Sequence, residues 1–487
     1  MSSGVVRKEI KSDVAKTASL AGILKEVCLT QKNHPSSGAI SMSTGERVFR
    51  WLHSTAVISI SLLLLSGSFL HGQTATAAAN GRPIAIKGAT VLTATHGSIE
   101  NGTVLLENGK IKAVGAQIPV PANAKIVDAK GKFITPGLVN PHSHTGIYPL
   151  LGLQGNVDLS EANSNINSNI RSMDAVDTSD PEIARAVSGG VTTLQTLPGS
   201  DNNIGGFTTV IKLNGAQSIE EARFQGAPLG MKWAWGENPK VQHAGKGTHP
   251  STLMGEAAML RQRFINAQRY AAKWQEWEAG DRKSVAPERD LEMEGLVQVL
   301  AGKVRVHVHA YQMNHFEALL RLSDEFKFPI AAIHHALQAY EIAPELARRN
   351  IGVVTFGDYW GYKIEAWDAI PQNAYVLWKS GVAVSMHTDS PVMEDRDYRL
   401  QASIANHYGM PDEASLQTVT INAAKILGIE NRVGSIEVGK DADLVIWSGN
   451  PLELTTRAER VYIDGKLVYT LNDGFLPWKG SPSFLHP

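Results

Sequence analysis

The sequence predicts an α/β fold, a (β/α)8 barrel of the TIM type carrying a small composite β-sandwich domain formed by both ends of the mature chain. Three observations predict it. Short alternating segments of strand texture occur at both ends of the chain beyond residue 80, eight short apolar segments separated by polar or amphipathic stretches fill the middle, and ionisable residues gather where most of those apolar segments end. A chain of 487 residues accommodates one such barrel and one small appended domain without a third unit.

Residues 1–41 are polar and unpatterned, and the expectation is that they are untranslated or unstructured, with Met42 the better start. Residues 42–80 read as a signal peptide and linker. Arg47 and Arg50 flank the beginning of Val48–Leu70, whose apolar core is ISISLLLL, and the small-residue stretch TATAAAN follows. The core is short for a membrane span, so an uncleaved anchoring helix is the less favoured alternative and cleavage is expected near Ala77. The mature protein is then exported, periplasmic or secreted, and it carries no thiol, because the single cysteine, Cys28, precedes the cleavage point. One cysteine also rules out an intramolecular disulfide framework and a zinc site built from four cysteines.

Residues 81–135 form the first part of the sandwich. IAIKGATVLT, GTVLLENGKIKAVG and AKIVDAKGKFITPG alternate like strands, with turns at Asn108-Gly109 and Lys130-Gly131. Residues 431–487 supply the second part and a tail, through DADLVIW and RVYIDGKLVY, with a hairpin turn at Asp464-Gly465. Between them, residues 136–430 are the barrel. Its strands are PGLVNPHSH, TTLQTLPG, TTVIKL, LGMKWAWG, KVRVHVHA, PIAAIHHA, GVVTFGD and VAVSMHTD. Six of these meet their first polar or ionisable residues at the C-terminal end, where a barrel of this kind places its active site. From about Met254 to Leu300, a stretch rich in Arg, Gln, Glu and Ala reads as a solvated helical insertion with a charged loop.

His142 and His144 stand at positions i and i+2 of a strand end, so both imidazoles face one side and can share a target atom. His307 and His309 repeat the spacing. His334 and His335 are adjacent, and adjacent strand residues face opposite sides, so at most one of the two is expected to point inward. His387 and Asp389 end the last strand, where a carboxylate can bind metal or accept a proton. Basic and acidic side chains number 46 and 47 and are interspersed, which leaves no basic face for nucleic acid. The partner expected is a small-molecule substrate, and a homo-oligomer is possible.

The set PGLVNPHSH, HVHA, IHHALQAYE, SMHTDSPV, TVTINAAKILG and VGSIEVGKDADLVIW, in that order, resembles the amidohydrolase superfamily, near its imidazolonepropionase and dipeptidase-like branches. The resemblance covers roughly Ile84 to Tyr469. It implies one or two divalent metals, zinc first among zinc, manganese and iron, which activate water to cleave a C–N bond in an amide, a cyclic amide or a short peptide. Carried over residue by residue, it makes His142, His144 and Asp389 ligands of the more buried metal, with Asp389 the general base. His307 and His334 hold the second metal, and His334 belongs to the catalytic set. Lys232, in the fourth strand, supplies a carbamylated bridge, which would remove the cost of an unpaired buried ammonium.

Glu237, His309 and His335 are the alternative ligands, and His335 stands where the family often has Gly. Tyr148, Tyr311, Asp358 and Tyr359 are candidates for substrate contact at strand-end loops. Two rival readings remain at this point. One is a deaminase of the same superfamily, against which stands Ala310-Tyr311-Gln312 where deaminases commonly carry a glutamate. The other is a non-catalytic metal-binding barrel.

Overall fold

The computed structural model describes residues 81–161, 163–358 and 361–479. The expectations for residues 1–80 and for Tyr359 lie outside these residues. The first strands are β1 (Ile84–Leu92), β2 (Ser98–Glu107), β3 (Lys110–Gly115), β4 (Lys125–Asp128) and β5 (Phe133–Pro136). Eight strands follow: β6 (Leu138–Ser143), β7 (Val191–Thr196), β8 (Ile204–Lys212), β9 (Gly230–Ala234), β10 (Arg305–Ala310), β11 (Ile330–His335), β12 (Gly352–Thr355) and β13 (Val384–Met386). The chain ends with β14 (Leu444–Trp447), β15 (Ala458–Ile463), β16 (Lys466–Thr470) and β17 (Gly474–Phe475).

The first five and last four strands of the described residues meet in a single nine-stranded sheet. β5 and β14 pair antiparallel, with Thr135 opposite Val445 and Ile134 opposite Ile446. The expected sandwich is, in its hydrogen bonding, this one sheet. Its two faces are served by the period-2 alternation of the strands. Leu444 and Ile446 join a core with Ile86, Val104 and Ile134, whereas Val445 and Trp447 join the barrel's own core with Ile183 and Val187. The tight turns are where the sequence places them, with Asn108, Gly109, Asp464 and Gly465 all at positive φ.

β6–β13 form an almost closed barrel, in the order of the eight expected segments. The seam between β13 and β6 is held by a parallel bridge between Ser143 and Ser390, by Asp389 N–H donating to His142 O at 3.2 Å, and by His144 N–H donating to Ser390 O at 3.1 Å. One strand departs from the expected pattern. β8 runs antiparallel to both β7 and β9, with Thr193 opposite Lys212 and Gly206 opposite Lys232. Only residues 197–203 connect β7 to β8, too short a stretch for the crossover that parallel neighbours require. The end of β8 therefore points away from the mouth and delivers Lys212 to the base.

The insertion after β9 is helical as expected. Thr252 caps the helix Leu253–Ala279, which buries Leu260, Phe264 and Ala267 at helical spacing, and Asp290 caps the helix Leu291–Leu300. Among the described residues no helix is long and apolar enough to cross a membrane.

Candidate metal centre

The closure of the barrel brings the last strand end against the first. Asp389 has φ 53°, a left-handed conformation that turns its carboxylate back over β6. One carboxylate oxygen, Oδ1, lies 3.0 Å from His142 Nε2 and 3.1 Å from His144 Nε2. The i, i+2 pair thus shares a target, as strand geometry demands. His144 Nδ1 donates to Leu197 O at 2.6 Å, so in the neutral ring the Nε2 lone pair faces Asp389 Oδ1. Two acceptors at that separation repel unless a cation lies beside them.

Three further histidines close around His142. The rings of His335 and His387 have centroids 4.9 Å from that of His142, and the His309 ring lies 4.4 Å from His335. His309, His335 and His387 are buried, and neither nitrogen of any of them has a hydrogen-bond partner. Leaving a buried polar group unsatisfied costs about 1–3 kcal/mol. Unpartnered imidazole nitrogens beside a carboxylate are the donor set that borderline divalent ions take up, so the residues present fit a metal. His142, His144 and Asp389 form one group with mutually close ligand atoms, and His142, His335 and His387 form another.

His334 and His335 both point into the barrel, contrary to the expectation that at most one would. His335 has φ 65° and Ala336 φ 48°, so the strand leaves extended geometry at His335 and the alternation of faces ends there. The two occupy different layers. His334 sits beneath the cage, with Nδ1 2.8 Å from His142 Nδ1 and Nε2 3.0 Å from His307 Nδ1. His307 is level with Lys232 across the β9–β10 pairing, and His309 lies one step nearer the mouth. The nitrogens of His334 are thus spent on other histidines, as is Nδ1 of His307, while those of His309 and His335 are free.

Lys232 is fully buried. Its Nζ lies 3.5 Å from His142 Nε2 and donates to Pro198 O at 3.2 Å. Burial pushes its ammonium down to about 8 against the opposing charge of Asp389. Burial likewise lowers the histidines, His307 to about 3 with Arg305 and Lys232 adding to it, and His387 to about 4. Burial alone would raise Asp389, but the charge and hydrogen bond of His142 hold its carboxyl well below the usual range.

Glu237 opens the helix Glu237–Ala244 after β9 and belongs to none of the close metal-ligating groups among the described residues. Tyr311 stacks on His335 at 4.9 Å, with its hydroxyl on that of Tyr362 and the Lys363 ammonium over its ring. Tyr148 packs beside Gly152, and Asp358 accepts from Gln401 at 2.9 Å. The sequence reading passed over Asp395. It is fully buried and accepts from four side chains interleaved with His142, His144 and Asp389, and only its position six residues beyond Asp389 hinted at a part in the site.

A sequence model of the amidohydrolase family matches residues 372–471. The crystal structure of an amidohydrolase from Thermotoga maritima is 37% identical, with a TM-score of 0.75, and its match covers 80% of this chain and 100% of that one. The amidohydrolase tasK of Hapsidospora irregularis is 38% identical over 75% of this chain, which spans 39% of that relative's length. The chain is also 24% identical to a 5'-deoxyadenosine deaminase of Methanobrevibacter smithii and 27% to an imidazolonepropionase of Geobacillus kaustophilus, over 80% and 78% of its own length and 89% and 92% of theirs.

Proposed function

This chain belongs to the amidohydrolase family, and from that premise we propose that it is an exported, metal-dependent hydrolase that opens the C–N bond of an amide, a cyclic amide or a short peptide. The observation that carries the reading is the convergence of His142 Nε2 and His144 Nε2 on one oxygen of Asp389. We assign His142, His144 and Asp389 to one zinc ion. His309 and His335 would hold a second, and Lys232, as a carbamate, would supply it with a further oxygen ligand. The exchange of His307 and His334 for their neighbours rests on which nitrogens are free. When bound, the metal supplies Lewis-acid polarisation of the scissile carbonyl and makes a water acidic enough to attack at neutral pH.

The chain's own residues do the rest. Asp389, ionised at neutral pH, takes the water's proton and hands it to the leaving amine. His144 is held in one tautomer by Leu197 O, which keeps Nε2 directed at the site. A Lys232 amine lowered to about 8 has a larger neutral fraction than an exposed lysine, and the neutral amine is the form that adds CO2. Tyr311 stacks on the His335 ring and closes one side of the cage.

The rival reading as a deaminase finds support in the names of relatives such as the 5'-deoxyadenosine deaminase of Methanobrevibacter smithii. Ala310-Tyr311-Gln312 follow His309, so no acid stands there to protonate a ring nitrogen. Metal analysis together with a screen of N-acyl amino acids, dipeptides and cyclic ureas tests the proposal. Turnover of one of these with bound zinc is the expected outcome, and ammonia release from aromatic amines with no amide cleavage would replace it by deamination. His335→Phe should lose metal, whereas His334→Phe should retain most of it, and the reverse order would restore the deeper pair as ligands.

A further inference from the structure

Asp395 stands six residues beyond Asp389, outside the set of residues that face a metal. It is fully buried, at the start of a short helical turn, Asp395–Asp397. Its Oδ2 accepts from Ser143 Oγ at 2.7 Å and from Thr145 Oγ1 at 2.7 Å. Its Oδ1 accepts from Asn140 Nδ2 at 2.8 Å and from Thr388 Oγ1. Its backbone N–H donates to Glu182 at 3.2 Å. The four side-chain donors are themselves buried.

The positions of those donors set this carboxylate apart from an ordinary satisfied core residue. Ser143 lies between the two histidines, Thr145 follows His144, and Thr388 precedes Asp389. Asn140 uses its other amide atom, Oδ1, to accept from His142 N–H at 3.1 Å and also donates to Thr388 Oγ1 at 2.8 Å. Every residue we assign to the first zinc therefore has a neighbour tied to the same carboxylate. β6 and β13 meet only at the seam of the barrel, so the clamp crosses the one place where the two halves of that zinc site could drift apart. An ionised carboxylate accepts at up to four sites, and here side-chain donors occupy all four.

We propose that Asp395 is the positioning residue of the metal centre: it holds His142, His144 and Asp389 in register across the barrel seam without touching the metal itself. The inference rests on the reading above, that these three residues bind a divalent ion. Outer partners of metal ligands typically contribute about 10–100-fold in metal affinity.

The test compares the full-length protein with Asp395→Asn, Thr388→Val, Ser143→Ala and, as a control for buried carboxylates elsewhere, Asp443→Asn. Zinc dissociation constants are measured by chelator competition well below each melting temperature. The 15N shifts of the histidine rings are recorded in the metal-free protein. Asp395→Asn should weaken zinc by about 10–100-fold and shift the His142 and His144 resonances, the single-donor variants should show smaller effects in the same direction, and Asp443→Asn should lower only the melting temperature. Wild-type zinc affinity and unmoved histidine resonances in Asp395→Asn would overturn the positioning role. If Asp395→Asn does not fold, the same null result in Thr388→Val and Ser143→Ala overturns it. A wild-type protein that binds no divalent ion defeats the metal reading instead, and the ring shifts still decide whether Asp395 orients these histidines.

Discussion

The mouth and the base of the barrel both gather buried ionisable side chains, and they satisfy them in opposite ways. At the base, Asp441, Asp443 and Asp464 bring three carboxylates together as closely as the ligands of the mouth. Lys212, from the end of the reversed strand β8, fills the space between them, at 2.7 Å from Asp441 and 3.1 Å from Asp443 with a further contact to Asp464. Lys110 and Arg432 also pair with Asp441. Burial works against the Lys212 charge, and the three acids more than offset this, so its ammonium is held above the usual range. At the mouth the buried Lys232 forms no such ion pair, since its Nζ lies against His142 and donates to Pro198 O. His309, His335 and His387 keep unpartnered nitrogens, and the lone pair of His144 faces an ionised Asp389. A cluster of acids does not by itself make a metal site, and the difference lies in whether the chain has already supplied the positive charge.

The sharpest break of this contrast is Asp389→Asn, which removes the proton acceptor and one ligand at the mouth. Turnover should fall by at least about 10²–10⁴-fold while circular dichroism stays native. Near-normal activity would transfer the general-base role elsewhere. Lys232→Ala comes next: it should lose one of two metals and nearly all activity, and acetate or propionate should restore part of it by filling the space of the carbamate. Glu237→Gln should keep both metals. Elemental analysis decides between them, since full metal in Lys232→Ala with loss in Glu237→Gln would give the bridging role to the glutamate.

At the base, Lys212→Met strips the acids of their central cation. Breaking a buried pair in this way costs about 3–5 kcal/mol. The urea midpoint should drop accordingly while zinc affinity stays unchanged, and a fall in zinc affinity would couple the two ends of the barrel.

The smallest effect is the pH dependence of the metal-free protein. His307 and His387 have folded values of about 3 and 4, below the 6.5 of the unfolded chain. The unfolded state therefore binds protons that the folded state refuses, and stability should decline as pH falls below 6.5, until about 3–4. At the base, Asp441 is lowered to about 2 despite its burial, by Arg432, Lys212 and Lys110, so its contribution is lost only as pH drops below about 4 toward 2. Burial raises Asp443 to about 6, and its contribution runs the other way, greatest at low pH and lost as pH rises through 6. Zinc should move the acid limb of the wild-type curve to lower pH. A flat urea-unfolding profile from pH 7 to 4.5 without metal would show that the mouth histidines are not buried neutral.

Much of this was legible in the chain itself. Eight apolar segments in order, strand texture at both ends, and hairpin turns at Asn108-Gly109 and Asp464-Gly465 are local patterns, and local patterns survive folding because backbone periodicity and turn chemistry act over a few residues. The spacing of His142 and His144 belongs to the same class, since the two-residue repeat of a strand sends both to one side. The reversal of β8 was also within reach, in the shortness of residues 197–203. Three features were decided only in three dimensions. The layer of each histidine depends on where β11 leaves extended geometry, at His335, which no pattern in IAAIHHA marks. Lys212 is a base lysine because β8 runs backwards, and its partners lie more than two hundred residues away in sequence. Asp395 reaches Asn140, Ser143 and Thr145 only because the barrel closes β13 onto β6. Contacts of that separation come from closing the sheet, and the strand and turn signals of a sequence do not extend so far.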